Sequence, residues 1–439
     1  MRLIRTTGRG ARAAAGVIAQ LERRGGTALE SVMPAVSRIV RAVRTQGDRA
    51  LMRYARQFDG LNAVDPEGRD VLRVSREEMA AAWESLNPPL RDALATAAGQ
   101  IRSFAVRQLP ESWSDSPVEG LVTGQLVRPL GSVGCYVPSG RHPLPSTLLM
   151  TAIPAQVAGV ERIVVVSPHP APETLAAAHH LGIEEFYRLG GAHAIAALAY
   201  GTESVSRVEK IVGPGNLYVT AAKRMVAFDC AIDMLAGPTE IVVTSERGNA
   251  QDIAADLVAQ AEHDPEALAV FITTRNELAA EVINETQPLS RNNAVAREAL
   301  GKHGVAIVAS TLDEARQITN RLAPEHLTVD SESDLEWVQN AGSVFVGQWS
   351  AQPMGDYISG PNHTLPTLGV ARTRGGLSVN DFVKLITVQR YTAQSIAELG
   401  PKAALLAEAE GLAGHAEAIR IRLRPGKSNK SSRKGRLNA

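Results

Sequence analysis

Two hydrophobic rhythms follow one another along the chain. From Thr27 to Phe58 the apolar positions Val32, Val36, Ile39, Val40, Val43 and Leu51 recur at helical spacing, and the run stops at the turn signal Asp59-Gly60. Residues 76–109 form a second helical region, interrupted at Asn87-Pro88-Pro89. Near Gly120 the pattern changes. Short continuous apolar runs at 133–137, 162–167, 185–188 and 210–212 predict buried strands, separated by helices over 146–157, 174–181, 192–200 and 217–228. A second set follows, with strands at 240–244, 269–273, 305–308 and 344–346 and helices at 250–263, 277–285 and 312–322. Beyond Pro366 the chain returns to helices, over 379–386, 392–397 and 405–419. The alternation predicts an α/β protein with two doubly wound domains between helical N-terminal and C-terminal extensions.

A length of 439 residues agrees with more than one core. Aromatic residues are 4% while Ala, Val, Leu and Gly abound, a composition for helices packed closely on parallel sheets. No apolar run is long enough to span a bilayer. The 46 basic and 46 acidic residues cancel, which gives no electrostatic footprint for nucleic acid or an anionic membrane. The two ends differ from the rest. Residues 1–24 hold six arginines and one acid, Glu22, and 427–436 is basic and Ser-rich. An Arg-rich, acid-poor start has the composition of a transit peptide, but residues 8–22 read more simply as an exposed helix with a solvated basic face. The tail at 426–439 reads as disordered. With only Cys135 and Cys230, a disulfide framework is excluded and a reducing cytoplasm fits. Cys135 lies in an apolar run and reads as a core residue rather than a nucleophile.

Five features can carry chemistry. Gly213-Pro214-Gly215-Asn216 joins a strand to a helix N-terminus, where free N–H groups can receive phosphate oxygens. No G-x-G-x-x-G stands near it, and most such turns are only tight turns. Gln260 and His263 are three apart at a helix end, so they share a face and can reach one metal ion, although on spacing alone a solvated helix terminus is the simpler account of them. Glu325-His326 follows Pro324, which disfavours helix at Ala323 and places the pair in a loop entering a strand. A neutral His can take an alcohol proton and a Glu can activate water, although a surface pair has the same spacing. Residues 354–363 are dense in glycine, proline and polar groups, the composition of a functional loop. Glu410 and His415 stand on or near a late helix, five residues apart, so they need not share a partner.

Taken together, these features resemble one family. Gly134–Pro138, 143–147, the stretch from Ala192 into Asn216, 233–240, 260–264, 323–327, 355–363 and Leu377-Ser378-Val379 look like histidinol dehydrogenase, in order and spacing, over about residues 27–422. The resemblance implies two incomplete Rossmann-like domains in an intertwined homodimer with shared active sites. Its parts would be an N-terminal helical arm (1–26), a helical section packing on the second α/β domain (27–119), an NAD-binding domain (120–238), a second α/β domain (239–365) and a C-terminal helical arm (366–425). It also implies one Zn2+ per subunit on Gln260, His263, Asp356 and His415, the last from the other subunit. Glu325 and His326 match the acid–base pair. Thr239, His363 and Glu410 match further substrate contacts alongside the zinc ligands and His326, and Tyr136, His193 and Asn216 match the NAD contacts. The implied reaction is oxidation of L-histidinol through L-histidinal to L-histidine in the cytoplasm.

Four positions depart from the family pattern. His193 stands where Gln is usual, and Thr239 where Ser is usual. Ser139 replaces a Gly, which is awkward if that backbone needs positive φ, and His142 is uncommon in its turn. Rival readings are a paralogue oxidising another polar alcohol, such as a sulfonated diol, and a zinc hydrolase with Glu325 as base. The residues around 143–146 and Glu410 disfavour the first, and the Gly213–Asn216 turn the second.

Overall fold

The computed structural model describes residues 1–24, 27–61, 71–139 and 143–424; His142 and the tail from residue 426 lie outside them. The chain divides into two units, one of Met1–Leu109 with Pro129–Phe382, the other of Pro110–Arg128 with the chain from Val383 on.

The larger unit holds two parallel sheets. In the first, the order is Glu185–Tyr187, Arg162–Val166, Ser132–Tyr136, Lys210–Val212, Ala231–Ile232. In chain order that is third, second, first, fourth, fifth, so the winding reverses between Ser132–Tyr136 and Lys210–Val212. The second sheet repeats the arrangement with Val305–Val308, Leu268–Thr273, Glu240–Thr244, His326–Val329 and Ser343–Val346. Central strands are buried on both faces, which explains their unbroken apolar runs. Gly134 lets a helix approach the first sheet closely, since a Cβ there would lie 2.9 Å from Leu198 Cδ1.

Several predicted boundaries move. The helices Thr27–Gln46 and Asp48–Phe58 bury Val36, Val40, Val43 and Leu51 against the helices Gly191–Tyr200 and Leu217–Val226. The helices Arg76–Ser85 and Pro88–Val106 pack on Pro172–His180 and Pro145–Ala158. All four helices therefore cover the first α/β sheet, not the second, because that is where their apolar stripe finds partners. Asn87 explains the interruption between the last two: it caps the helix that Pro88 starts, accepting Leu90 N–H at 2.9 Å.

The N-terminal residues are not a helical arm. Arg2–Arg5 is a strand parallel to Val305–Val308, at the edge of the second sheet, and the helix Ala11–Glu22 buries Ala14 and Ile18. Nor is the basic character all solvated. Arg24 is nearly buried and holds both oxygens of the buried Glu240 carboxylate at 2.6 Å, while its Nη2 also donates to Leu322 O.

In the smaller unit a three-stranded sheet runs Val383–Tyr391, Leu121–Pro129, Trp113–Val118, followed by the helices Ala393–Ala409 and Ala413–Leu423. Residues 113–118 were expected in the helical section, 121–129 in the first α/β domain and 379–386 as a helix. Instead a short 3-10 turn, Val379–Phe382, leads into the strand. Its Val, Ile, Thr and Tyr content favours a pleated surface over the helical spacing of its apolar positions.

Replacing Arg24 by Met should lower unfolding free energy by about 3–5 kcal/mol, because it strands a buried carboxylate. The double variant Arg24→Met/Glu240→Gln should recover most of that loss in denaturant titration. If the double variant is no more stable than the single one, the ion pair is not what holds this segment.

Candidate active site

The helix Leu312–Leu322 ends at Ala323, which takes a left-handed conformation at φ 46° and ψ 64°. Pro324 forbids helical backbone before it, and the reversal delivers Glu325 and His326 to the start of the strand His326–Val329. Both side chains are buried. The neighbouring strand begins at Glu240, whose two peptide groups serve the pair. Glu240 N–H donates to Glu325 Oε2 at 2.8 Å, and Glu240 C=O accepts from His326 Nδ1 at 3.1 Å. A carbonyl can only accept, so Nδ1 carries the proton and Nε2 is left as the basic atom.

Thr239 Oγ1 donates to the same Glu325 oxygen at 2.6 Å, and Gln260 Nε2 donates in turn to Thr239 Oγ1. With its NH2 engaged, Gln260 is left with a buried Oε1 that has no hydrogen-bond partner. On the other side, His326 Nε2 lies 3.7 Å from Asp356 Oδ1. The Asp356 carbonyl accepts from His363 Nδ1 at 2.8 Å, and the Asp356 carboxylate from Gln352 Nε2 at 3.2 Å. A cavity of about 410 Å³ opens here, lined by His326, Phe345, Trp349, Met354 and His363.

These contacts set the charges. Burial works against a cationic His326, but the Glu325 and Asp356 carboxylates outweigh it and push the imidazole up to about 10. Burial likewise opposes the Asp356 carboxylate, and the neighbouring His326 imidazole overrides it, holding Asp356 below its usual range. His363 is pushed down by desolvation. Glu240 is pushed up by burial, against the pull of Arg24.

Thr239, Gln260, Glu325, His326, Asp356 and His363 thus form one connected group. His263 stands exposed just past the helix Ala250–Ala261, close enough for its charge to act on Asp356. Glu410 and His415 belong to the smaller unit and are exposed there. The pair Glu325–His326 sits at the amino ends of its strands, opposite to the carboxyl ends where ligands of open α/β sheets usually bind.

Tyr136, His193 and Asn216 gather instead at the carboxyl end of the first sheet. Tyr136 ends the first strand, and its hydroxyl accepts Gly191 N–H at 3.1 Å. Gly213, at φ 110°, follows the fourth strand and packs against the Tyr136 carbonyl. Several N–H groups of this turn are already engaged. Gly213 donates to Asp233 Oδ2 at 2.7 Å, and Asn216 Oδ1 accepts from Tyr218 and Val219. Those three N–H groups are therefore not free for phosphate oxygens. His193 is buried with Nε2 2.7 Å from Asp59 Oδ2, while Nδ1 has no partner. The Ser139 departure is harmless to the backbone. Ala323 and Leu368 alone among described non-glycine residues have positive φ, and Ser139 Oγ accepts His169 N–H at 2.9 Å.

Sequence reading missed Glu240, Arg24, Gln352 and Asp59. Glu240 alone carried a signal: a single charge opening an otherwise apolar buried strand. Cys135 is a core residue as expected, fully buried with its thiol pushed up to about 12 by desolvation.

Comparison with known proteins gives a consistent result. A family model described as Histidinol dehydrogenase matches residues 22–423. The chain is 44% identical to the histidinol dehydrogenase of Methanothermobacter thermautotrophicus over 420 residues, covering 93% of this chain and 97% of the relative. It is 45% identical to that of Bacillus thuringiensis over 405 residues, covering 90% and 93%. The crystal structure of histidinol dehydrogenase from Elizabethkingia anophelis superposes with a TM-score of 0.89 at 34% identity, covering 96% of this chain and 98% of that one.

Without metal, the His326 proton stabilises the fold. Its folded value of about 10 lies above the unfolded value of about 6.5, so the contribution is complete below about pH 6.5 and is lost as pH rises through about 10. Denaturation midpoints of chelator-treated protein should therefore fall over that window more steeply for the wild type than for His326→Gln. Parallel curves would contradict the assigned pairing.

Proposed function

The chain belongs to the histidinol dehydrogenase family, oxidoreductases acting on histidinol, and on that premise we propose how its residues oxidise L-histidinol through L-histidinal to L-histidine. The observation that carries the proposal is the buried Glu325–His326 pair, held by the two peptide groups of Glu240 beside Asp356 and the Gln260 amide. When bound, NAD supplies the hydride acceptor and zinc a Lewis-acidic anchor for the substrate's imidazole and amine.

Gln260, His263 and Asp356 would hold zinc, with His415 of the partner subunit. The unpartnered Gln260 Oε1 fits this role, being a buried oxygen whose amide nitrogen is already engaged. Among the described residues no three His, Cys, Asp or Glu side chains of one chain form a metal cluster. An amide oxygen and a donor from a second copy complete such a set. Tyr136, His193 and Asn216 would hold NAD at the reversal point of the first, Rossmann-like sheet, where His193 Nδ1 is buried without a partner.

His326 Nε2 takes the alcohol proton in the first oxidation, and Glu325 takes a proton from the water that adds to the aldehyde before the second. A base must be neutral, yet Asp356 and Glu325 hold His326 protonated. Asp356 can stabilise either that proton or a cation; with its charge taken up by a cation, His326 loses a partner that keeps it protonated. Thr239, His363 and the exposed Glu410 complete the substrate contacts, Glu410 reading the amine.

The smaller unit supports a homodimer. Leu385, Ile386, Tyr391, Leu405, Leu406 and Ile421 are all about half or more exposed, while among the described residues a small cluster of Ala404, Ala407 and Ala416 with Ile419 is buried between the two helices. These exposed apolar side chains suit burial against a second copy, which would bring Glu410 and His415 to the other subunit's site. Both cysteines are unbridged, in keeping with the cytoplasm, and no described helix is long and apolar enough to cross a membrane.

His326→Gln should lower turnover on histidinol by about 10²–10⁴-fold. Glu325→Gln should impair histidinal oxidation more than histidinol oxidation, in separate assays of the two substrates. Equal losses on both would remove Glu325 from the water-activating role.

A further inference from the structure

Gln352 has no role in the reading above, yet it is among the most enclosed polar residues of the chain, with no measurable exposure. It precedes the short helix Pro353–Tyr357, which carries Asp356. Its side chain and its backbone point to different elements. Nε2 donates to Asp356 Oδ2 at 3.2 Å, and the backbone N–H donates to Asp256 Oδ1 at 3.3 Å. Asp256 lies on the helix Ala250–Ala261, one turn before Gln260. One residue therefore ties the segment bearing Asp356 to the helix bearing Gln260.

The chemistry fixes the sense of the contact. A carboxylate can only accept, so the amide must present its NH2 to Asp356, and Gln352 Oε1 is left buried without a partner. Leaving such an oxygen unpaired carries a desolvation cost, set against a charge-assisted bond to Asp356. That bond occupies Oδ2 and turns Oδ1 toward His326. Asp356 thus has one carboxylate oxygen engaged by Gln352 and the other facing His326.

We propose that Gln352 is the positioning residue of the metal site: it fixes the Asp356 carboxylate and keeps it in register with Gln260. The inference rests on the reading of Gln260 and Asp356 as zinc ligands. Outer partners of metal ligands, when removed, typically cost about 10–100-fold in metal affinity. Gln352 acts through Asp356 and touches no reacting atom, so its loss shows first in zinc binding.

The test is zinc affinity of the full-length protein, by competition with a chromophoric chelator and without substrate or nucleotide. Gln352→Met keeps length and bulk but has no donor, and should bind zinc about 10–100-fold more weakly than the wild type. Its zinc-free melting temperature should stay within a few degrees of wild type, while the rise on adding zinc shrinks. Activity should return with excess zinc, with kcat much less changed than the zinc concentration needed. Should Gln352→Met fail to fold, Gln352→Asn, an amide one methylene too short to reach, is read by the same criteria. Asp356→Asn separates the two ideas. If it loses zinc while the folded Gln352 variant binds as tightly as wild type, the site stands and the positioning role is overturned. If Asp356→Asn binds zinc like wild type, the ligand assignment falls and the role of Gln352 with it.

Discussion

The buried polar group at the amino end of the second sheet depends on one residue's backbone. Glu240 offers its N–H to Glu325 and its C=O to His326, so both side chains are set by peptide groups already fixed in a parallel sheet. Backbone groups at a strand end cannot rotate away as side chains do, and they also choose the tautomer that frees His326 Nε2. The Glu240 carboxylate is turned away from this pair and must be neutralised, which is the work of Arg24. The N-terminal segment thereby becomes part of the foundation of the site.

The same logic of pairing buried charge runs through the larger unit. Lys223 pairs with Asp233 beneath the Gly213 turn, and Asp59 meets His193 beside the Gly190-Gly191 turn. Each pair stiffens a loop at the carboxyl end of the first sheet. The two candidate groups therefore lie at opposite ends of their sheets: Tyr136, His193 and Asn216 at the carboxyl ends of the first, in the manner usual for open α/β sheets, Glu325 and His326 at the amino ends of the second. At the second sheet the Glu325 and Asp356 carboxylates outweigh burial and favour a proton on His326.

Local patterns were enough to foretell much of this. Continuous apolar runs marked eight of the eleven strands described in the two parallel sheets, because burial on both faces leaves no alternation to confuse, whereas the edge strands Arg2–Arg5 and Ala231–Ile232 carry no such run. Pro324 marked the turn that delivers Glu325 and His326. What the sequence hid were matters of partnership. Nothing in the spacing of Val36, Val43 and Leu51 says which sheet they cover. Arg24 reads as a surface arginine until Glu240 is beside it, 216 residues away. Gln352 reads as a loop amide, and the strand Val383–Tyr391 carries apolar spacing that passes for a helix until a sheet claims it. His193 stood out as a departure from the family pattern, and its partner Asp59, 134 residues away, was not legible in the spacing.

The central claim is that Glu325 and His326 serve two successive oxidations of one substrate at a zinc-dependent site. It is tested most directly by counting NADH formed per molecule of L-histidinol consumed, before and after chelation and again after zinc is restored. The account predicts two NADH per histidinol, lost with the metal and regained with zinc. A single NADH per histidinol with histidinal released, or turnover indifferent to chelation, would contradict it.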